Sequence, residues 1–241
     1  ENWIIIKYLM PVFTLAAGLV LYKHLKEYKG CMFAFRVPAL TLLNPNVFFW
    51  STQILTEGLS LFFLVMTHYF CKSNNKHSAL LAGIMLGLTF ASRYPIAIQA
   101  FTIVIVEAII RKNPKYLVRV FTGAAPIILI VVLAVYMKNG SFSGAIPEDT
   151  QFIFPPSSFY LLNWQEIWGF GFLFAPLALL FRRTWVDKYN YTFIAWFIIA
   201  LLFWSLNSYN YQPRFVVQFM PAVSFLVILA IENISRFNFS F

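Results

Sequence analysis

The stretch "RKNPKYLVRVFTGAAPIILIVVLAVYMKNG", residues 111–140, decides the fold. Arg111, Lys112, Lys115 and Arg119 crowd its start, and a predominantly apolar run then extends to residue 137. A helix rises 1.5 Å per residue, so about 20 such residues cross the roughly 30 Å hydrocarbon core of a bilayer. The run has no polar face to turn toward water, so it reads as a membrane span entered from a basic loop.

Working outward, the same alternation of apolar run and short connection continues in both directions. Nine candidate spans emerge, at about 3–22, 31–49, 54–71, 78–92, 95–110, 118–137, 164–181, 191–206 and 215–231. The fourth and fifth are short and meet at "SRYP", residues 92–95, and are expected to tilt or insert only in part. Composition agrees: 60% of the chain is hydrophobic, 20% aromatic and only 11% charged, more apolar surface than a soluble domain of 241 residues could bury. The expected fold is therefore all-α, a single polytopic transmembrane helix bundle over residues 1–241.

A formal charge of +9 would suggest nucleic acid in a soluble chain, but in a membrane protein it asks which loops are positive. Fourteen of the 18 basic residues fall on one side. They are Lys23, Lys26, Lys29, Arg36, Lys72, Lys76, Arg111, Lys112, Lys115, Arg119, Arg182, Arg183, Lys188 and Arg236. Lys7, Arg93, Lys138 and Arg214 remain for the other. The positive-inside rule makes the first side cytoplasmic, with the N-terminus outside and the C-terminus inside. Trp3, Trp50, Trp164, Trp168, Trp185, Tyr189 and Tyr191 cluster near span ends as interfacial anchors. The longest connection, 138–163, is extracytoplasmic and carries Glu148, Asp149 and an "NGS" sequon at Asn139. Cys31 and Cys71 fall at cytoplasmic span ends, where no disulfide is expected.

With the basic residues sorted, the outer face keeps few polar groups. Glu57 lies at the start of the third span, after the "NPN" break at 44–46. A carboxylate there needs a cation, a metal or water. It could form a structural salt bridge, orient an incoming hydroxyl, or help hold a divalent metal. Arg93 precedes Tyr94 and Pro95, where proline biases the chain out of the helix. Arg214, in "SYNYQPRFVVQFMPA" (208–222), follows Tyr209, Tyr211, Gln212 and Pro213. Arginine at a span end can snorkel to the headgroups, but a guanidinium also matches a pair of phosphate oxygens. A lipid phosphate held by Arg214 and Arg93, with Lys138 as a further cation, is the sharper reading.

Other motifs carry less. His24, His68 and His77 are scattered and support neither a metal site nor a triad, no phosphate-binding glycine loop is present, and "GIMLG" is a packing face. Glu107 one turn before Arg111 reads as a helix-end ion pair.

Three stretches together carry a family likeness: "NPNVFFWSTQILTEGLSLFFLVMTHYF", "ALLAGIMLGLTFASRYPIAI" and "YNYQPRFVVQFMPAVSFLVILAIE". In that order they resemble the multi-span glycosyltransferases of the GT-C superfamily, particularly the branch of dolichyl-phosphate-mannose protein mannosyltransferases and lipid A aminoarabinose transferases. Glu57 matches the family's acidic outer position and Arg93 the arginine after its glycine-rich span. "PRFVVQFMPAVSFL" matches the closing motif, with Phe215 where tyrosine is usual and Pro221 at the second proline.

The resemblance implies an enzyme that moves a sugar, mannose or a related hexose, from a polyprenyl- or dolichyl-phosphate donor. The acceptor would be a hydroxyl of a protein, lipid or glycan on the extracytoplasmic face. Glu57 is then the candidate catalytic residue, positioning the acceptor or a metal, Arg93, Arg214 and Lys138 bind the donor phosphate, and Tyr94, Tyr209, Tyr211 and Gln212 line the substrate pocket. The family's principal aspartate lies in the loop after its first span, upstream of Glu1 here, so the chain is expected to lack that span and loop. Outer arginines would equally suit a flippase for a lipid-linked saccharide, and a missing base would suit a noncatalytic subunit. A flippase, however, usually shows midplane helix breaks and paired repeats. Neither is visible in the sequence.

Overall fold

The computed structural model describes residues 2–53, 56–140, 171–206 and 213–237. Among the described residues every regular element is helical. In chain order they are α1 (Asn2–Lys29), α2 (Cys31–Leu42), α3 (Pro45–Ser51), α4 (Glu57–Lys72), α5 (Ser78–Ser92), a 3-10 turn (Tyr94–Ile96), α6 (Ala97–Arg111) and α7 (Pro114–Asn139). There follow α8 (Gly171–Leu177), a 3-10 turn (Ala178–Leu180), α9 (Arg182–Val186), α10 (Asn190–Leu206), a 3-10 segment (Pro213–Phe219) and α11 (Met220–Phe237).

Local chemistry sets these boundaries. Gly30 takes a left-handed backbone (φ 84°) between α1 and α2, a conformation that costs glycine little. Asn44 closes the next break: its side-chain oxygen accepts from the N–H groups of Asn46 (3.0 Å) and Val47 (3.3 Å), with Pro45 at the first helical position. Asn113 and Pro114 repeat that device at the start of α7. Arg93 is extended between α5 and the Tyr94–Ile96 turn, the break expected ahead of Pro95.

Among the described residues, four helical stretches are long and apolar enough to cross a membrane: Tyr8–Lys29, Tyr94–Arg111, Pro114–Asn139 and Val216–Arg236. Cys31–Leu42, Ser78–Ser92 and Asn190–Phe203 are shorter apolar helices. The protein is thus an integral membrane helix bundle, with fewer full-length spans among the described residues than the nine read from the sequence. The expected span at 31–49 is two helices, because the Asn44 cap and Pro45 restart the chain midway. The first span instead runs on to Lys29, drawing its basic connection into α1. Of the expected span at 164–181 only the part from 171 is described, and there it breaks into α8 and a 3-10 turn.

Enclosure differs sharply between helices. In Val216–Arg236, 83% of the span is buried within the protein, against 17% in Pro114–Asn139, so α11 is the central post and α7 an outer, lipid-facing helix. The core around α11 is aromatic, with Phe225 stacked on Phe193 at 3.9 Å between ring centroids. The closest helix pair is α5 with α7, where Gly83 lies against the Val120 carbonyl and Gly123 against that of Leu80. Gly83 facing Val120 and Gly87 facing Ala124 and Ile127 make the two helices parallel. Their N-termini therefore start at the same end of the bundle.

Candidate functional site

Glu57 opens α4 and is only 1% exposed, yet it is ionisable and apolar helices surround it. Its partner is Arg93. The guanidinium donates through Nη1 to Glu57 Oε1, and the arginine side chain is itself 14% exposed. α5 runs antiparallel to α4 and ends at Ser92, so the extended Arg93 returns to the level of the first turn of α4. Desolvating two charges is costly, and their mutual attraction offsets part of that cost.

The polar chain continues from there. Ser60 donates to the Glu57 carbonyl at 3.0 Å and accepts from Gln218 Nε2 at 3.1 Å. Gln218 and Ser60 are fully buried. Gln218 belongs to the Pro213–Phe219 segment, which packs against α3 and α4. The backbone carrying Arg214 is thereby tied to the helix that begins with Glu57. The side chain of Arg214 is not among those described, and Tyr209, Tyr211 and Gln212 lie outside the described residues.

Of the predicted site residues, the structure brings together Glu57 and Arg93. Tyr94 is 59% exposed beside them in sequence, and Lys138 is exposed near the end of α7 with no ion pair to a described carboxylate. The snorkelling alternative for Arg93 does not hold, since its charged head turns inward to Glu57. Sequence reasoning missed Ser60 and Gln218. Both are neutral, and only a polar residue inside an apolar run signalled either.

The carboxylate of Glu57 faces a guanidinium, which would repel a cation, and among the described residues no group of three or more His, Cys, Asp or Glu side chains could hold a metal ion.

A second polar layer occupies the opposite end of the bundle, about 22 Å away along α4. Lys72 meets Glu107 at 2.7 Å, and Arg111 meets the same carboxylate at 2.9 Å, the ion pair read from the sequence plus an unforeseen lysine. Arg111 also donates to the carbonyls of Cys71 (2.7 Å) and Ser73 (3.2 Å). Lys29 pairs with Asp187 in the α9–α10 turn. Partial burial works to raise the Asp187 pKa, but hydrogen bonds from Lys29 and the Tyr189 N–H (2.9 Å), with the nearby positive charges, outweigh it and hold the carboxyl below its usual range.

No protein-family model matches the chain, and no curated protein matches it in sequence. Two solved structures match in three dimensions. The crystal structure of ArnT from Cupriavidus metallidurans bound to undecaprenyl phosphate superposes with a TM-score of 0.73 over 94% of this chain, at 14% identity. Its apo form gives 0.71 over 94%, at 13% identity. The helices follow the fold of ArnT. The chain spans under half of the ArnT structures, 46% and 45% of their length. At this identity the likeness concerns the arrangement of helices and not the chemistry of each position.

Proposed function

We propose that this chain forms part of a membrane glycosyltransferase that takes a sugar from a polyprenyl-phosphate donor. The sugar, mannose or a related hexose, passes to a hydroxyl acceptor at the extracytoplasmic end of the bundle. The observation that carries this reading is the buried Glu57–Arg93 pair, tied through Ser60 and Gln218 to the segment bearing Arg214. The ArnT fold, in a crystal structure holding undecaprenyl phosphate, supports it.

The charges have a consistent logic. Glu57 contributes one negative charge, Arg93 and Arg214 two positive, so these three side chains sum to +1. A phosphodiester-linked sugar brings one negative charge, which that excess neutralises. When the acceptor hydroxyl displaces the sugar from its phosphate, the C–O bond to the leaving oxygen breaks and the departing phosphate gains a second charge. Arginines fixed in place beforehand stabilise that charge more than the ground state. Glu57 then acts as a positioning residue: it holds the Arg93 guanidinium in one orientation within a low-dielectric site. The proton of the acceptor hydroxyl goes to a base that these described residues do not supply, and no role of that kind is given to Glu57.

Transfer of radiolabelled sugar from a polyprenyl-phosphate donor, measured with full-length protein in liposomes, tests the proposal. Arg214→Ala is expected to lower turnover by about a hundredfold or more, the usual cost of removing a donor to a developing oxyanion. Arg182→Ala, at the other end, should change it little. Equal effects would count against the phosphate role. Transfer that needs neither ATP nor an ion gradient separates an enzyme from a flippase, which would move the donor without consuming it.

A further inference from the structure

A cavity of about 180 Å³ lies at the end of the bundle opposite Glu57, between the α4–α5 turn and the α6–α7 turn. A single water needs ~10–15 Å³ of such space, so a polyatomic ligand fits. Every charged residue lining it is cationic: Lys76, Arg111 and Arg119. Glu107, the carboxylate beside Arg111, is already shared between Arg111 and Lys72. Lys76 and Arg119 meet no carboxylate among the described residues.

The neutral lining offers donors too. Asn75 and Asn113 use their side-chain oxygens to cap the chain, accepting from the N–H groups of His77 and Lys115, both at 3.1 Å. What remains to each is its NH2 group. Tyr116 is 5% exposed and lines the cavity with its ring, over which the Arg111 guanidinium lies at 5.2 Å, while its hydroxyl neighbours the buried Cys71 thiol. The parallel pair α5 and α7 also opens here, so the positive ends of two helix dipoles face the same space.

We propose that this cavity binds a phosphate group, supplied by the headgroup of an anionic lipid in the adjoining leaflet. Donors and cations without an acceptor of their own select an oxyanion, and Arg119 can grip paired oxygens while Arg111 keeps only Nη1 to offer. Val118 and Phe121, 66% and 40% exposed on the outer helix α7, flank Arg119 and give the acyl chains an apolar wall. The site is separate from the donor end and implies a lipid that binds without being consumed. By the distribution of basic residues it faces the cytoplasm.

The test compares retention of phosphatidylglycerol and phosphatidylcholine by the purified full-length protein, using native mass spectrometry, beside a titration with inorganic phosphate. Lys76→Gln with Arg119→Gln should weaken phosphatidylglycerol binding ~30-fold, since each cation near an anionic surface contributes about fivefold. Arg182→Gln with Arg183→Gln removes the same two charges from exposed positions at the same end, and should leave binding nearly unchanged. Saturable binding of inorganic phosphate without lipid preference, lost in Lys76→Gln/Arg119→Gln, would keep the phosphate site and assign it to a free anion. Equal losses in the two double variants, or no binding of either ligand, would overturn the proposal.

Discussion

Glu57 and Arg93 are 36 positions apart in the chain, and each is intelligible only through the other. Removing one partner takes a counter-charge from a site that water barely reaches. Glu57→Ala is therefore expected to destabilise the protein by about 3–5 kcal/mol. Glu57→Leu combined with Arg93→Met, which removes both charges and keeps the volume, should cost less than either single change. Thermal unfolding in detergent reads this directly, and additive losses would mean the two side chains do not depend on each other. Both residues were singled out in the sequence because an ionisable group in an apolar run is conspicuous. Their pairing was not legible, since nothing local to "STQILTEGLS" or "SRYP" encodes which turn of which helix faces the other. Ser60 and Gln218 were less visible still: they carry no charge, and their value comes from being buried together.

At the scale of elements, close approach of helices is what the glycines provide. A Cβ at Gly83 would lie 1.9 Å from the Val120 carbonyl oxygen, and one at Gly123 2.4 Å from that of Leu80. Both obstacles are backbone, so α5 and α7 must separate. Gly83→Ala is expected to cost about 1–3 kcal/mol, the usual range for overpacking. At Gly18 the obstacle is the end of the Leu42 side chain, at 2.7 Å, which can change rotamer. Gly18→Ala should cost under about 1 kcal/mol, and unfolding midpoints of the two variants decide the matter. Gln218→Ala carries the element-scale prediction for the site. It removes the link from the Pro213–Phe219 segment to Ser60, at about 1 kcal/mol of stability, while Ser60 keeps its bond to the Glu57 carbonyl. A fall in donor turnover well beyond that loss would mark the segment as positioning Arg214. The apolar stretches of α5, α6 and α7 were legible as helices from composition and length. The split of 31–49 was not, although its cause, Asn44 and Pro45, stands in the sequence: the apolar residues on both sides outweighed the cap.

For the molecule as a whole, the two polar layers have separate duties, and pH can tell them apart. The Lys29–Asp187 pair ties the end of α1 to the α9–α10 turn, far along the bundle from Glu57. Because the Asp187 pKa is depressed in the folded protein, its contribution is fully present above the unfolded carboxyl value of about 3.9 and is lost as pH falls through the lower folded value. Asp187 is 45% exposed, so solvent screening limits that contribution to about 1 kcal/mol or less. The unfolding midpoint of Asp187→Asn should accordingly lie below that of the unmodified protein by a constant small margin above about pH 5, and the two should converge below about pH 4. A margin that widens on acidification would show the opposite sign of shift. Sugar transfer at neutral pH should be unchanged in Asp187→Asn, because the pair touches neither Arg93 nor the Pro213–Phe219 segment. A loss of transfer there would mean that strain at one end reaches the other through α1 or α10, and that the two layers form a single coupled unit.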